Sequence, residues 1–285
     1  MNKRIVCAAL VLLLALVAFG VSFVIAKNRE EMRLVDLEPG TSASVPVSDN
    51  TGTDATTPSE SETAAEPGGV SEGPEETEAP TYVISDDDVL PVPEIVNMPA
   101  DENWSIVLIN EFYQMNDTYE PVLSLIPDNE AIYLDQRVTD AFVKMAEAAA
   151  ADGITLTVAA GYVTPDRQAR LFDKEVQTLM LSGLNEDAAQ AKAAFTVLPS
   201  RCSEANYGLS VDIGWLEADF AESEVYRWLK NHAAAYGFIE RYTEKGQRIT
   251  HFNACPWHWR YVGVDHADYI VEHNITLEEY VGKVH

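Results

Sequence analysis

The sequence predicts an α+β domain in its C-terminal part, a small antiparallel sheet flanked by helices, with a transmembrane helix and a disordered linker ahead of it. Three observations carry that prediction. Apolar residues recur at helical spacing in some segments and at alternate positions in others. Acidic residues crowd into one stretch without a single Lys or Arg. An unbroken apolar run stands at the N-terminus.

Lys3 and Arg4 precede that apolar run, residues 5–26. About 20 apolar residues span a bilayer, whereas a cleaved signal has a shorter apolar core and a small-residue cleavage motif. The run ends Phe23-Val24-Ile25-Ala26 without such a motif, so residues 1–33 are expected to form a cytoplasmic tip and an uncleaved anchor. Lys27, Arg29 and Arg33 follow the run, so basic residues alone do not set its orientation. Cys7 lies inside it as an apolar filler.

Charge divides the rest of the chain. The 285 residues carry 19 Lys+Arg and 46 Asp+Glu, a formal net charge of -27. Residues 1–33 hold +3, residues 34–136 hold -23 with no basic side chain, and residues 137–285 hold -7. That balance excludes a nucleic-acid binder, which needs a basic footprint for phosphate. Residues 34–100 read as an acidic Ser/Thr/Pro/Glu-rich stalk. Such a segment cannot bury enough apolar area to offset its ordering entropy, and like charges keep it extended. The folded domain is assigned to residues 101–285.

Within the domain, residues 105–110 read as a strand. Residues 137–151 place Val138, Phe142, Met145 and Ala146 on one stripe, with Asp152-Gly153 as a stop, so a helix. Residues 154–159 alternate as a strand does. Pro165 opens a second helix, Pro165–Leu181, because its fixed φ suits a first turn. A shorter helix is expected at 187–195. In residues 208–214, Leu209, Val211 and Ile213 face one way and Ser210 and Asp212 the other. Residues 222–236 read as a helix stopped by Gly237. Strands are expected at 238–242, 248–252 and 257–262, and short helices at 266–272 and 277–281.

Chemically informative residues cluster in three places: Ala160-Gly-Tyr-Val-Thr-Pro-Asp-Arg-Gln168, Ser203-Glu-Ala-Asn-Tyr-Gly-Leu-Ser-Val-Asp212 and Cys255-Pro-Trp-His-Trp-Arg-Tyr-Val-Gly263. Together with Trp228-Leu-Lys-Asn-His-Ala, Tyr236-Gly-Phe-Ile-Glu-Arg-Tyr242 and Leu277-Glu-Glu-Tyr280, they resemble the VanY-type D-alanyl-D-alanine carboxypeptidases. These are zinc peptidases that trim the cell-wall stem peptide. The resemblance runs from about Trp104 to Val281 and implies the fold shared by D-Ala-D-Ala carboxypeptidases and Hedgehog-like domains. It also implies a peptidoglycan stem peptide or cell-wall protein as partner and, with the acidic tract beyond Arg33, favours an extracytoplasmic domain on the single-pass anchor read from residues 5–26.

The family's second cluster reads Ser-x-His-x-x-Gly-x-Ala-x-Asp, with His and Asp as zinc ligands. Its third reads Glu-Pro-Trp-His, where Glu is the general base and His the third ligand. Its first reads Gly-Tyr-Arg-Ser with a Gln beyond, and the Arg holds substrate. Three ligands and an open position suit hydrolysis, because zinc lowers the pKa of its bound water toward about 7. Here Ser203, Gly208, Asp212, His258, Gly161, Tyr162 and Gln168 match. Ala205 stands where the first zinc His belongs, Cys255 where the base belongs and Val163 where the Arg belongs.

The resemblance therefore marks Asp212 and His258 as vestigial metal positions, and Tyr162, Gln168, Ser203, Tyr207 and Trp257 as the substrate groove. Three readings stay open: a catalytically inactive wall binder, a rearranged zinc carboxypeptidase, and a scaffold or sensor for a protein partner. In the second, Cys255, Glu204 or His251 would join Asp212 and His258 to rebuild a zinc site, and Glu204 or Glu240 would serve as base. The family pattern also puts Cys202 and Cys255 beside one cleft, where an exported domain permits a disulfide. Arg201, Arg167 and Arg260 are the nearby cations that could take a terminal carboxylate in place of the missing Arg.

Overall fold

The computed structural model describes residues 88–129, 131–214 and 219–285. The chain divides into Met1–Thr77 and Glu78–His285, and all described residues belong to the second unit. The span expected at residues 5–26, and the stalk as far as residue 87, lie outside the described residues. Among the described residues no helix is long and apolar enough to cross a membrane.

Among the described residues of the unit there are eight strands and seven α-helices. In chain order they are β1 (Glu94–Val96), β2 (Tyr113–Met115), β3 (Leu123–Leu125), β4 (Tyr133–Asp135), α1 (Gln136–Ala151), β5 (Val158–Ala160), α2 (Pro165–Leu181), α3 (Glu186–Ala193), β6 (Ser210–Ile213), α4 (Glu224–His232), β7 (Phe238–Glu240), α5 (Gln247–Thr250), β8 (His258–Tyr261), α6 (Val264–His273) and α7 (Leu277–Tyr280). The main sheet has the order β5-β6-β8-β7 and is antiparallel throughout. A parallel pair, β1-β2, and an antiparallel pair, β3-β4, stand beside it. The α+β class expected from the sequence is the one observed.

Alternation along the strands gives the main sheet two unlike faces. Val211, Ile213, Phe238 and Trp259 are buried on one, and they share a core with Val138, Phe142, Met145 and Ala149 of α1. Helix α1 starts where the Asp135 carboxylate accepts the Arg137 N–H at 2.9 Å. Its apolar stripe then lies along the sheet, with Phe142 edge-on to Phe238 at 6.4 Å. Burying each such large side chain contributes about 1.5–3 kcal/mol. The opposite face carries Ser210, Asp212, His258 and Arg260, and the site forms there.

Two glycines bring the site's loops against β4. Gly208 has φ 63, and a Cβ there would strike the backbone of Asp135. Gly161 is packed so closely that a Cβ would lie 2.5 Å from Tyr133 O. Tyr162 N and Asp135 N can then donate across these junctions, to Tyr133 O at 2.7 Å and Gly208 O at 3.0 Å.

Several expectations are corrected. Residues 105–110 are not a strand: a 3-10 turn occupies Glu102–Ile106, and Asn110 makes only an isolated bridge to Tyr113. The carbonyls of Ser105 and Val107 accept from the Arg260 guanidinium at 2.8 and 3.1 Å, which takes the groups a ladder would use. Residues 248–252 are not a strand either. Helix α5 covers Gln247–Thr250, and a single turn is too short to show a period. The helix expected at 222–236 is α4 followed by a 3-10 turn at Ala233–Tyr236, ended by Gly237 at φ 84. The folded unit also takes in Glu94–Val96, upstream of residue 101, through pairing with β2.

Candidate functional site

The register of β6 against β8 makes Asp212 and His258 direct partners. Facing side chains on an antiparallel pair have Cβ atoms about 4.5–5.5 Å apart, so the two must interact. His258 Nδ1 and Asp212 Oδ1 lie 2.7 Å apart. Both side chains are partly buried, 15% and 28% exposed. The Tyr242 ring stacks on the imidazole with centroids 5.3 Å apart.

Behind His258 lies a set of buried charges. Glu204, in the 3-10 turn Glu204–Tyr207, places Oε2 3.6 Å from His258 Nε2. Its other oxygen accepts from Arg241 Nε at 2.7 Å. Arg241 donates from its two remaining nitrogens to Glu278 of α7, at 3.0 and 2.6 Å. Arg260 Nη1 approaches Glu204 at 3.7 Å, and Asn110 donates to Glu278 at 3.2 Å. Arg241, Glu204, Glu278 and Arg260 are each at most 1% exposed at the side chain.

These neighbours decide the ionisation. Burial would push the Glu204 carboxyl up, but Arg241, Arg260 and His258 together hold it well below the usual carboxylate range. Burial opposes charge on His258 as well. The hydrogen bond to Asp212 and the Glu204 carboxylate outweigh it, and the imidazole pKa is pushed up to about 9. His258 is thus an imidazolium at neutral pH, with a carboxylate facing each ring nitrogen.

The three replaced positions converge on this spot. Val163 N donates to Ala205 O at 2.9 Å, and Asn206 Nδ2 donates to Val163 O at 2.8 Å. Cys255 is buried at the turn into β8, where its carbonyl accepts from His258 N at 3.0 Å. Zinc bonds of about 2.0–2.2 Å in a tetrahedron hold ligand atoms roughly 3.3–3.6 Å apart. The 2.7 Å between Asp212 and His258 is a charge-assisted hydrogen-bond length instead. Alanine at 205 supplies no lone pair. Among the described residues no group of three or more His, Cys, Asp and Glu side chains is placed to hold a metal ion. The set Asp212, His258 and Cys255 is therefore not assembled, and the residues present do not fit a three-ligand zinc site.

The remaining candidates separate by burial. Tyr162, Ser203 and Trp257 are half-buried. Gln168 is not a groove residue: it is buried, and its amide donates to Leu198 O at 2.6 Å, tying α2 to the chain before Cys202. Tyr207 is 1% exposed and belongs to the core. Glu240 accepts from Tyr226 Oη at 3.0 Å and Lys230 Nζ at 2.7 Å, which occupies it as a base. His251 pairs with Glu111 at 3.2 Å. Cys202 and Cys255 are both reduced and buried, so the expected bridge is not made. Burial, with the Glu111 carboxylate, pushes the Cys202 thiol up to about 12, which suppresses the thiolate that disulfide exchange needs.

Arg241, Glu278 and Asn110 were not singled out from sequence. A signal for the first was present. Arg241 follows the apolar Phe238-Ile239, and a charge inside a strand pattern implies a buried partner.

The sequence model of the D-alanyl-D-alanine carboxypeptidase family VanY matches residues 131–264. The D-alanyl-D-alanine carboxypeptidase of Enterococcus faecalis is 32% identical over 213 residues, covering 75% of this chain and 74% of the relative. A vancomycin resistance D,D-pentapeptidase VanY, solved in complex with Zn(II), is 34% identical, with TM-score 0.55 over 62% of this chain and 99% of that one. The LD-carboxypeptidase LdcB, solved to reveal its basis of peptidoglycan recognition, is 32% identical, with TM-score 0.58 over 71% of this chain and 98% of that one. The chain belongs to the VanY family of D-alanyl-D-alanine carboxypeptidases.

Proposed function

We propose that this VanY-family domain binds the D-Ala-ending peptide of peptidoglycan without hydrolysing it, and that residues 5–26 anchor it with the domain outside the cell membrane. The observation that carries the first part is the 2.7 Å Asp212–His258 contact beside Ala205. The two residues at the family's ligand positions face each other at hydrogen-bond distance. A general base is also missing at Cys255, and such a base contributes typically 10²–10⁴-fold to a hydrolytic rate. Tyr162, Ser203 and Trp257 remain half-buried and available as groove walls. The family membership and the relatives' D-alanyl-D-alanine and peptidoglycan specificity support the ligand class. The apolar run and the acidic stalk support the placement.

The test is metal content and D-alanine release on the purified full chain, with retention on isolated cell wall. Retention without stoichiometric zinc and without release is expected. One zinc per chain with chelator-sensitive release would replace this reading with a working zinc carboxypeptidase. No retention, with capture by a wall-associated protein, would replace it with a scaffold. Membrane fractionation with protease accessibility tests the anchor, and a soluble or inward-facing domain would refute it.

A further inference from the structure

We infer that the cavity lined by Glu111 and His251 is a binding site for a primary ammonium group. This goes beyond the peptide-binding reading above and does not depend on it. The site starts from a tight turn. Asn110 and Tyr113 exchange both backbone hydrogen bonds at 3.1 Å, and Asn110 Oδ1 accepts from Phe112 N at 3.0 Å. Glu111 and Phe112 are thereby fixed at the tip. Helix α5 ends against them at His251, whose φ of 50 lies in the left-handed region. Its ring is edge-on to Phe112, with centroids 5.4 Å apart, and its Nδ1 lies 3.2 Å from Glu111 Oε1. Glu111 and His251 line a cavity of about 240 Å³ together with Val89, Leu90, Ala194 and Phe195.

The buried carboxylate selects a cation. The Glu111 side chain is 5% exposed, and neither of its oxygens receives a well-formed hydrogen bond. Buried polar groups are normally hydrogen-bonded, and an unsatisfied one is costly. The contact with His251 is through Oε1, so Oε2 calls for a donor. The cavity has room for roughly eight waters, or for a short alkyl chain with its head group. Val89, Leu90 and Ala194 give the chain apolar walls, and aromatic rings attract an ammonium. One carboxylate and one imidazole are too few for a zinc ion, and among the described residues no group of three is placed to hold a metal. The ring of His251 makes the site sensitive to pH. The Glu111 carboxylate, with that of Glu278 and the backbone of Arg248, raises the imidazole pKa against burial. Asp88 also lines the cavity. Cys202 and Tyr242 feel Glu111 too, but burial raises both and keeps them neutral. An imidazolium beside Glu111 repels a second cation, so the ammonium binds more tightly as His251 loses its proton.

The experiment is calorimetric titration of the full chain with n-butylammonium, N-acetyl-lysine methylamide, n-butanol and zinc. Both amines are expected to bind, and n-butanol about tenfold or more weakly, the range of a charge-assisted hydrogen bond. Affinity for the amines should rise about 5–10-fold from pH 5.5 to 6.5, because one proton competes with one cation. Glu111→Gln keeps the shape and should weaken amine binding by about tenfold or more. His251→Asn suits the left-handed backbone and should bind the amines without that pH dependence. Tighter binding of the lysine derivative assigns the ammonium to a protein side chain, and tighter binding of n-butylammonium to a free amine. Either result supports the site. No amine binding by the wild type, equal binding of n-butanol, full binding by Glu111→Gln, or zinc that displaces the amine overturns it. If Glu111→Gln does not fold, His251→Asn decides: a variant that keeps the wild-type pH dependence, or binds no amine, overturns the inference.

Discussion

Val163 N donates to Ala205 O at 2.9 Å, so two of the three positions that depart from the family pattern touch through their backbones. The third, Cys255, lies at the turn that leads into His258. The replacements are thus concentrated in one place. They stand where the family pattern has a ligand, a cation and a base, while the buried charges behind them stay paired.

The first prediction concerns rebuilding. Ala205→His is expected to raise zinc content toward about one per chain, because an imidazole there completes a three-ligand set. D-Alanine release should remain at background, since the base is still absent at a cost of about 10²–10⁴-fold. Adding Cys255→Glu should make release measurable. Elemental analysis and a D-alanine assay check this, and turnover by the single variant would refute it.

Arg241 neutralises two buried carboxylates, Glu204 and Glu278. Arg241→Met should destabilise the domain by about 3–5 kcal/mol, because it leaves buried charge without compensation. Combining it with Glu204→Gln should cost less than the sum of the two, as expected of residues in one network. Urea unfolding of the four species measures both effects. Simple additivity would show that the network is not coupled.

Stability should fall in mild alkali. The folded pKa of His258 is raised from 6.5 to about 9, so its stabilising proton is fully bound below pH 6.5 and is lost as pH rises through about 9. The loss over that window should be roughly 3 kcal/mol. His258→Gln should flatten this part of the profile. Unfolding midpoints at pH 6, 7.5 and 9.5 decide, and an unchanged slope in the variant would assign the effect elsewhere.

Cys202 should resist alkylation in the native state. With its thiol pushed up to about 12, the thiolate fraction at pH 8 is roughly 10³-fold below that of an ordinary cysteine. Peptide mapping after iodoacetamide treatment should find Cys202 modified only once the protein is unfolded. Rapid native modification, or a disulfide-linked peptide with Cys255, would contradict the buried reduced thiol.

Much of this was legible from residue order. Helix α1 shows its stripe in Val138, Phe142 and Met145, and α2 announces itself with Pro165. The alternation from Leu209 to Ile213 placed Asp212 on the polar side of β6. Strands β1, β2, β3 and β4 were not legible, since three residues without a flanking alternating run carry no period. Nor was the fate of residues 105–110, whose carbonyls are taken by Arg260 from far along the chain.

The sequence by itself determined the family, the segregation of charge and the loss of the expected side chains at 163, 205 and 255. Composition and motif spacing are properties of the chain, and no fold is needed to read them. Only the tertiary structure decided what stands in their place. The β6-β8 register sets Asp212 against His258, and the Asp212 and Glu204 carboxylates, outweighing burial, raise the imidazole pKa. Tertiary packing also buried Gln168 and Tyr207 and left Arg201 without a carboxylate partner among the described residues. Ionisation and exposure depend on neighbours distant in sequence, and these become neighbours only when the chain folds.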